Sequence, residues 1–536
     1  MFGYSLLRAS VWRGWWGAAV AVLAGCAEPP AAAPVAPQWA ADSASVRLAA
    51  GPQYARGAAW QFFWGAHYRA LWATPVTVPV LRLATAVPGG LRPMQAGGSY
   101  QSHTLRLGAA DGRQFVLRSV DKDASAALPA GWPRWLLGGL MKDQTSAGQP
   151  FGAYIASPLA AAAGVLHTNP RLVYLPADPA LGKFRADYAN ALYLLEERPD
   201  GDQRVRATFG RSPAVVSTAH MLARTHQRPG ARAAARAYLR ARLLDVWLGD
   251  WSRRADQWRW ASFPRPGGVQ YQPIPRDRDQ AFFLLDDGFL TRLISWLVPK
   301  YSSFHARIRP GAVDGLTTTA RALDRTLLST LTADDFRQEA DSLRAGLTDA
   351  QIDRALAAGP AETRATIAAR LGPLLRARRA QLPAVARRFY EVLAAEAWLV
   401  GTDQAERFLI SEAGPNRVRV RVLARRPGPA DSLLAERVYD RKDTREVNLY
   451  GLAGNDVFEI VPPVAPGFAV NIYDGAGRDR VTRTAGARAS LTDFTWYSGP
   501  DGDARRNKTG VTVEADPHPE LTANAAGWLL RYNLPD

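Results

Sequence analysis

The stretch Leu243–Phe283, LLDVWLGDWSRRADQWRWASFPRPGGVQYQPIPRDRDQAFF, decides how this chain is read. It continues an apolar helical segment (Tyr238, Leu239, Leu243, Leu244, Val246, Trp247, Leu248) that breaks at Gly249. A polar loop follows, then a short strand-like run from Tyr271 to Ile274, then Asp277 and Asp279 ahead of Ala281-Phe282-Phe283. A loop amide such as that of Gln257 and two strand-end carboxylates can share one Mg²⁺, which takes oxygen donors in octahedral geometry. Asp277, with Asp279 second, is therefore a candidate metal ligand.

Upstream, Gly97-Gly98-Ser99, the run Ser102 to Leu107, the turn Asp111-Gly112 and Gln114 to Val120 predict strand, turn, strand. Lys122 lies four residues beyond Arg118 and shares its face if the strand continues, because side chains alternate with period two. Ala191 to Leu195 predicts a strand running into Glu196-Glu197-Arg198-Pro199.

In this order, over roughly residues 90 to 300, these pieces resemble the atypical kinases with an Asp-Arg-His-x-x-Asn catalytic loop: the HipA-type, phosphoinositide and secretory-pathway kinases. The resemblance implies a nucleotide-covering hairpin at Gly97, Gly98 and Ser99. It places Arg118 where the phosphate-pairing Lys stands, with Lys122 beside it and Glu197 in the hinge, as binding residues for Mg-ATP. Aligned on the loop, Ser252 stands at the Asp position, Arg254 at the His position and Gln257 at the Asn position, and Arg253 alone is kept. A hydroxyl does not replace a carboxylate as base, and a guanidinium accepts no proton. The resemblance thus implies Gln257 as a metal ligand beside Asp277 and Asp279, and Arg253 as a catalytic group, with Asp250 and Asp256 as nearby catalytic substitutes away from the family position. The block GDW…PIPRDRDQAF also resembles large outer-membrane proteins of Bacteroidota-type bacteria, in which it precedes a BamA/TamA-like β-barrel. The sequence ends at Asp536 without that barrel, which implies either a separate barrel chain as partner or a shortened relative.

The N-terminus speaks to location. Arg8 and Arg13 form a positive region, Trp15 to Leu23 is a short apolar stretch, and Leu23-Ala24-Gly25-Cys26 is a lipobox. The apolar run falls short of the roughly 20 residues of a spanning helix and reads as a cleaved signal. Cys26 is the only cysteine, so lipidation at Cys26 and no disulfide framework are expected. Ala27 leaves the outer membrane as the expected destination. Glu28 to Gln38, mostly Ala and Pro, is a semi-rigid tether.

The 536 residues carry a net charge of +17 and 47% hydrophobic content, ample for two or three domains. The arginines are dispersed and many alternate with acids, and no nucleic-acid-binding motif appears, so no nucleic-acid partner is expected; anionic lipid or lipopolysaccharide phosphates suit the charge better. The aromatic run Tyr54 to Thr77 is expected to pack as core. Ser217 to Trp247 and Leu316 to Ala395 read as helical, with Thr332 and Thr348 as N-caps. Beyond Leu399 strands are expected at Val418–Val422, Ala435–Tyr439, Glu446–Tyr450, Val457–Val461, Phe468–Tyr473 and Arg480–Thr484, forming a sandwich or a solenoid. Gly451 to Asp456 and Asp474 to Asp479 resemble Gly-rich calcium repeats, which stack turns of about nine residues. Asp456 and Asp479 are 23 positions apart, so two similar β-turns are favoured over Ca²⁺ sites. Seven histidines are scattered, with no HExxH, nucleophile elbow or Walker A.

The expected fold class is α+β: a kinase-like two-lobe domain with a helical extension, followed by a small all-β C-terminal domain. The expected segments are a signal peptide at 1–25, a tether at 26–45, an N-lobe-like region at 46–200, a helical C-lobe-like region at 201–398 carrying the 249–283 block, and a β-rich domain at 399–536. Three functions compete: a non-catalytic kinase-like lipoprotein that binds an envelope partner, which is favoured; a Mg-ATP-dependent kinase of the envelope; and a metal-dependent hydrolase built on Asp250, Asp277 and Asp279.

Overall fold

The computed structural model describes residues 43–97, 103–122, 134–425, 431–484, 491–499 and 509–534. Cys26, the signal and tether segments before residue 43, Gly98 and Ser99 lie outside the described residues. The fold class is the expected one, α+β with an all-β region at the C-terminal end.

Strands β1 (Ser45–Ala49) and β2 (Pro75–Pro79) form an antiparallel pair. The first lobe is a five-stranded antiparallel sheet of β3 (Leu91–Gly97), β4 (Thr104–Ala109), β5 (Gln114–Ser119), β6 (Arg171–Leu175) and β7 (Ala191–Arg198), in the order β3-β4-β5-β7-β6. Period-two alternation divides it. Leu105, Leu107, Phe115, Leu117 and Leu195 enter one core, while Arg106, Arg118, Glu196 and Arg198 line the opposite face. The aromatic run packs as core at Tyr54, Trp64, Tyr68 and Trp72, with Phe62 left exposed.

The second lobe begins with β8 (Ala214–Ser217) and helix α1 (Thr218–Gln227), continues through β9 (Ala231–Ala233), and reaches α2 (Ala235–Leu248). One continuous helix was expected here; Pro229-Gly230 breaks it, with Gly230 at φ 100°. Helix α2 ends as expected, at Gly249 in the left-handed conformation. The loop after it opens into a hairpin of β10 (Trp258–Arg265) and β11 (Gly268–Pro275), so the polar stretch between the two sequence motifs is largely strand. A short helix, α3 (Phe289–Leu297), leaves Phe289, Leu293, Trp296 and Leu297 exposed. Residues 310 to 394 are mainly helical, and Thr332 and Thr348 cap their helices by accepting from Asp335 N and Gln351 N. Among the described residues no helix is long and apolar enough to cross a membrane.

The C-terminal region is a two-sheet parallel solenoid. Strands β12 (Glu396–Val400), β13 (Glu406–Glu412), β14 (Arg417–Ala424), β15 (Ser432–Asp440), β16 (Glu446–Tyr450), β17 (Val457–Val461), β18 (Ala469–Tyr473), β19 (Arg480–Arg483), β20 (Phe494–Ser498) and β21 (Thr512–Ala515) include every strand expected from the sequence. One sheet stacks β12-β16-β18-β20-β21 in parallel, and the other carries β13-β17-β19 in parallel beside the antiparallel β14 and β15. The two Gly-rich motifs are successive corners of this solenoid, and their separation of 23 residues is one rung. Asp479 Oδ1 accepts Asp456 N at 2.6 Å, and Asp456 Oδ1 accepts Glu406 N at 2.7 Å. Gly401 to Glu406 is therefore a third corner of the same design. Glycine is required because the turns touch: a Cβ on Gly475 would lie 1.7 Å from Leu452 O. Tyr450, Tyr473 and Tyr497 stack with centroids 4.8 and 4.7 Å apart. The end of the chain folds back, with Tyr532 Oη 2.7 Å from Thr326 Oγ1 and Trp528 buried in the main core.

Candidate functional site

Between the lobes lies a cleft of about 1400 Å³. The first lobe contributes Gly97, Arg106, Arg118, Lys122 and Arg198, and the second contributes Ser252, Arg254, Asp256, Gln257, Arg259, Arg276, Asp277 and Asp279. Residues 526–534 close one side through Leu529, Leu530 and Leu534. Elements far apart in sequence thus meet as the loop pattern implied.

The floor is set by helix α2. Asp245 stands in the middle of its apolar run, fully buried, and its carboxylate accepts from Arg253 Nε at 2.9 Å, Arg253 Nη2 at 3.1 Å, Arg242 Nη1 at 3.2 Å and Arg278 Nε at 3.3 Å. Burial opposes its charge, but Arg253, Arg278 and Arg242 outweigh burial and hold it below the usual carboxylate range. Arg253 also donates to Asp250 Oδ2 at 3.0 Å and to the carbonyl of Arg276. One guanidinium therefore joins the 250–257 loop to the strand end that carries Asp277. Asp250 takes Ser252 N at 3.0 Å and Ser252 Oγ at 2.9 Å, and burial pushes its carboxyl up. Asp250 and Arg253, expected as catalytic groups, are fully buried beneath the cleft and set the shape of the loop. Asp256 does reach the cleft, paired to Arg254 at 2.9 and 3.0 Å.

Above this floor the expected binding residues meet the expected metal ligands. Arg118 Nη1 lies 2.9 Å from Asp277 Oδ2, while its Nη2 donates to Glu196 Oε1. Lys122 Nζ pairs with Asp279. Asp277 takes a left-handed φ of 60°, uncommon for a residue with a side chain, and it does so at the cleft. Burial disfavours its charge, yet Arg118 and then Lys122 hold it well below the usual range. Asp279 is pushed up to about 7, by burial first and the Asp277 charge second.

Two expectations are corrected. Gln257 was expected to offer its amide oxygen to a metal. That oxygen accepts Arg254 N at 2.9 Å in a capping box, and Nε2 turns toward Asp277 at 3.3 Å. A nitrogen donor, not an oxygen acceptor, therefore faces the carboxylate. Glu197 was expected at the nucleotide. Strand alternation puts it on the outer face, 3.0 Å from Arg206, and it is Glu196 that faces Arg118. Gly97 lines the cleft rim.

Mg²⁺ does not fit this donor set. Both strand-end carboxylates are matched by cations of the chain itself, Gln257 presents nitrogen, and among the described residues no group of three His, Cys, Asp or Glu is placed to hold a metal. Asp245, Glu196, Arg259 and Arg276 were not singled out in the sequence. An Asp inside an otherwise apolar helical run was the legible signal for Asp245; the other three depend on strand facing.

No family model matches the chain, and no curated protein matches it. Among solved structures it is similar to the crystal structure of a Helicobacter pylori proinflammatory kinase, CtkA, at 9% identity and a TM-score of 0.28, over 56% of this chain and 96% of that one.

Proposed function

We propose that this chain is an envelope lipoprotein whose kinase-like two-lobe domain transfers no phosphate and instead holds a partner. The observation that carries the reading is the double ion pair across the cleft, Arg118 with Asp277 and Lys122 with Asp279. A phosphotransferase needs those carboxylates for metal and needs a base at the loop. Here Ser252 occupies the base position, and its hydroxyl donates to Asp250. The kinase-like part of the reading is supported by the antiparallel sheet of the first lobe, with Arg118 on its third strand facing the loop carboxylate Asp277.

The lipobox at Cys26 supports anchoring to the outer membrane, and the block shared with barrel-linked proteins supports a BamA/TamA-like barrel as partner. We assign the exposed apolar face of Phe62, Phe289, Leu293, Trp296 and Leu297 to the membrane interface, in keeping with a net charge of +17 against anionic lipid. Loss of palmitate labelling and of membrane fractionation in Cys26→Ser tests the anchor, and co-purification of a barrel protein from membranes tests the partner.

The competing reading is a Mg-ATP-dependent kinase, favoured only by the meeting of Arg118 and Asp277. Thermal unfolding with and without Mg²⁺-ATP separates the two. A ligand at a hundredfold its Kd stabilises by about 2.7 kcal/mol. No shift that needs Mg²⁺, as against ATP in EDTA, and no phosphoryl transfer by Ser252→Asp, are expected. A Mg²⁺-dependent shift abolished by Asp277→Ala would overturn the non-catalytic reading.

A further inference from the structure

Apart from Lys300, which lies over the Trp251 and Tyr301 rings, the cations of the cleft fall into two groups. Arg118, Lys122 and Arg254 are each paired with carboxylates. Among the described residues Arg106, Arg259 and Arg276 make no ion pair, and Arg198 has only a long one, to Asp200. They come from β4, the end of β7, β10 and the residue after β11, two from each lobe, and all four line the same cleft. Arg198 Nη1 donates to Gln114 Oε1 at 2.7 Å, and its carboxylate neighbour, Asp200, stands 3.7 Å away. Arg276 Nη2 donates to the Asp256 carbonyl at 3.2 Å. The Nε atoms of Arg259 and Arg276 are buried without a hydrogen-bond partner. Arg106 makes no ion pair among the described residues. Asp200, Asp256 and Glu196 are the carboxylates whose charge reaches this group, and they do not offset it. Burial, then the neighbouring guanidiniums, push Arg198 down to about 10 and Arg276 down to about 9.

We infer that Arg106, Arg198, Arg259 and Arg276 form a metal-independent site for a phosphate-bearing anion, clamped between the two lobes. Guanidinium forks match phosphate oxygens in bidentate geometry, and an anion here satisfies the buried Nε donors while removing the repulsion among four like charges. With cations already on Asp277 and Asp279, the anion needs no metal to enter. The inference goes beyond the non-catalytic reading and does not depend on it.

The test uses the full chain in EDTA. Calorimetric titration with tripolyphosphate probes a free phosphoanion, and flotation with phosphatidylcholine vesicles, with and without phosphatidate, probes a lipid headgroup. Saturable binding of at least one probe is expected, and which one binds identifies the source. Arg259→Gln combined with Arg276→Gln should weaken it about tenfold or more, while Arg265→Gln, at the exposed hairpin tip, should leave it unchanged. If the double variant does not fold by circular dichroism, Arg106→Gln decides in its place. Binding of neither probe, binding that appears only with Mg²⁺, or binding indifferent to these substitutions would overturn the inference.

Discussion

Replacing Asp245 by Asn should cost about 3–5 kcal/mol of stability. Asn has nearly the same volume, so no cavity opens and the cost is electrostatic. Three buried guanidiniums share this carboxylate. After the change Arg242 keeps Asp324 at 2.9 and 3.1 Å, and Arg253 keeps Asp250 at 3.0 Å. Arg278 keeps no ion pair among the described residues, so one buried charge loses its partner and two others lose part of theirs. That loss is large beside a typical net stability of about 5–15 kcal/mol. Urea unfolding followed by tryptophan fluorescence reports on it, because Trp247, Trp258 and Trp260 are buried in the same core. The folded Asp245 is held below its unfolded value, so its stabilisation is present above the unfolded value and is lost as pH falls through the folded one. The difference between native chain and variant should therefore shrink below about pH 4. A cost under about 1 kcal/mol at neutral pH would refute the view that this carboxylate organises the floor of the cleft.

Glu406, raised from 4.5 to about 7 by burial, should make the solenoid lose stability as pH climbs through that window. Glu406→Gln should flatten the dependence of Tm between about pH 5 and about pH 8, and an unchanged slope would count against the buried carboxyl as its source. Gly475→Ala combines a φ of 86° with a Cβ 1.7 Å from Leu452 O, so it should cost about 2 kcal/mol or more and open residues 399–536 to limited proteolysis. Arg378 donates to the carbonyls of Trp247 at 2.7 Å, Val246 at 2.7 Å and His305 at 3.0 Å, capping the end of α2. Arg378→Met should cost about 2–3 kcal/mol in thermal unfolding by removing the donor from the Trp247 and His305 carbonyls, while the Val246 carbonyl keeps Gly249 N at 3.1 Å.

Local pattern alone identified β14 to β19 of the solenoid, though not β12, β13, β20 and β21, together with the helix ending at Gly249, the caps at Thr332 and Thr348, and the order of the pieces around the cleft. Each of these depends on alternation, on a left-handed glycine or on a side chain reaching three residues along, which the chain carries within a few positions. The strand Trp258–Arg265 was hidden because Arg259, Ser262 and Arg265 interrupt its apolar residues, and the helix break at Pro229-Gly230 was overlooked inside an otherwise helical stretch. What only tertiary structure decided is where each side chain points. Glu196 and not Glu197 meets Arg118, Gln257 turns its nitrogen to Asp277, and the spacing of 23 becomes the rung of a solenoid. These outcomes follow from pairing between residues tens of positions apart. The composition shows an excess of arginine, but only the packed cleft separates the arginines closely paired with carboxylates from Arg106, Arg198, Arg259 and Arg276, whose one ion pair among the described residues is the 3.7 Å contact of Arg198 with Asp200.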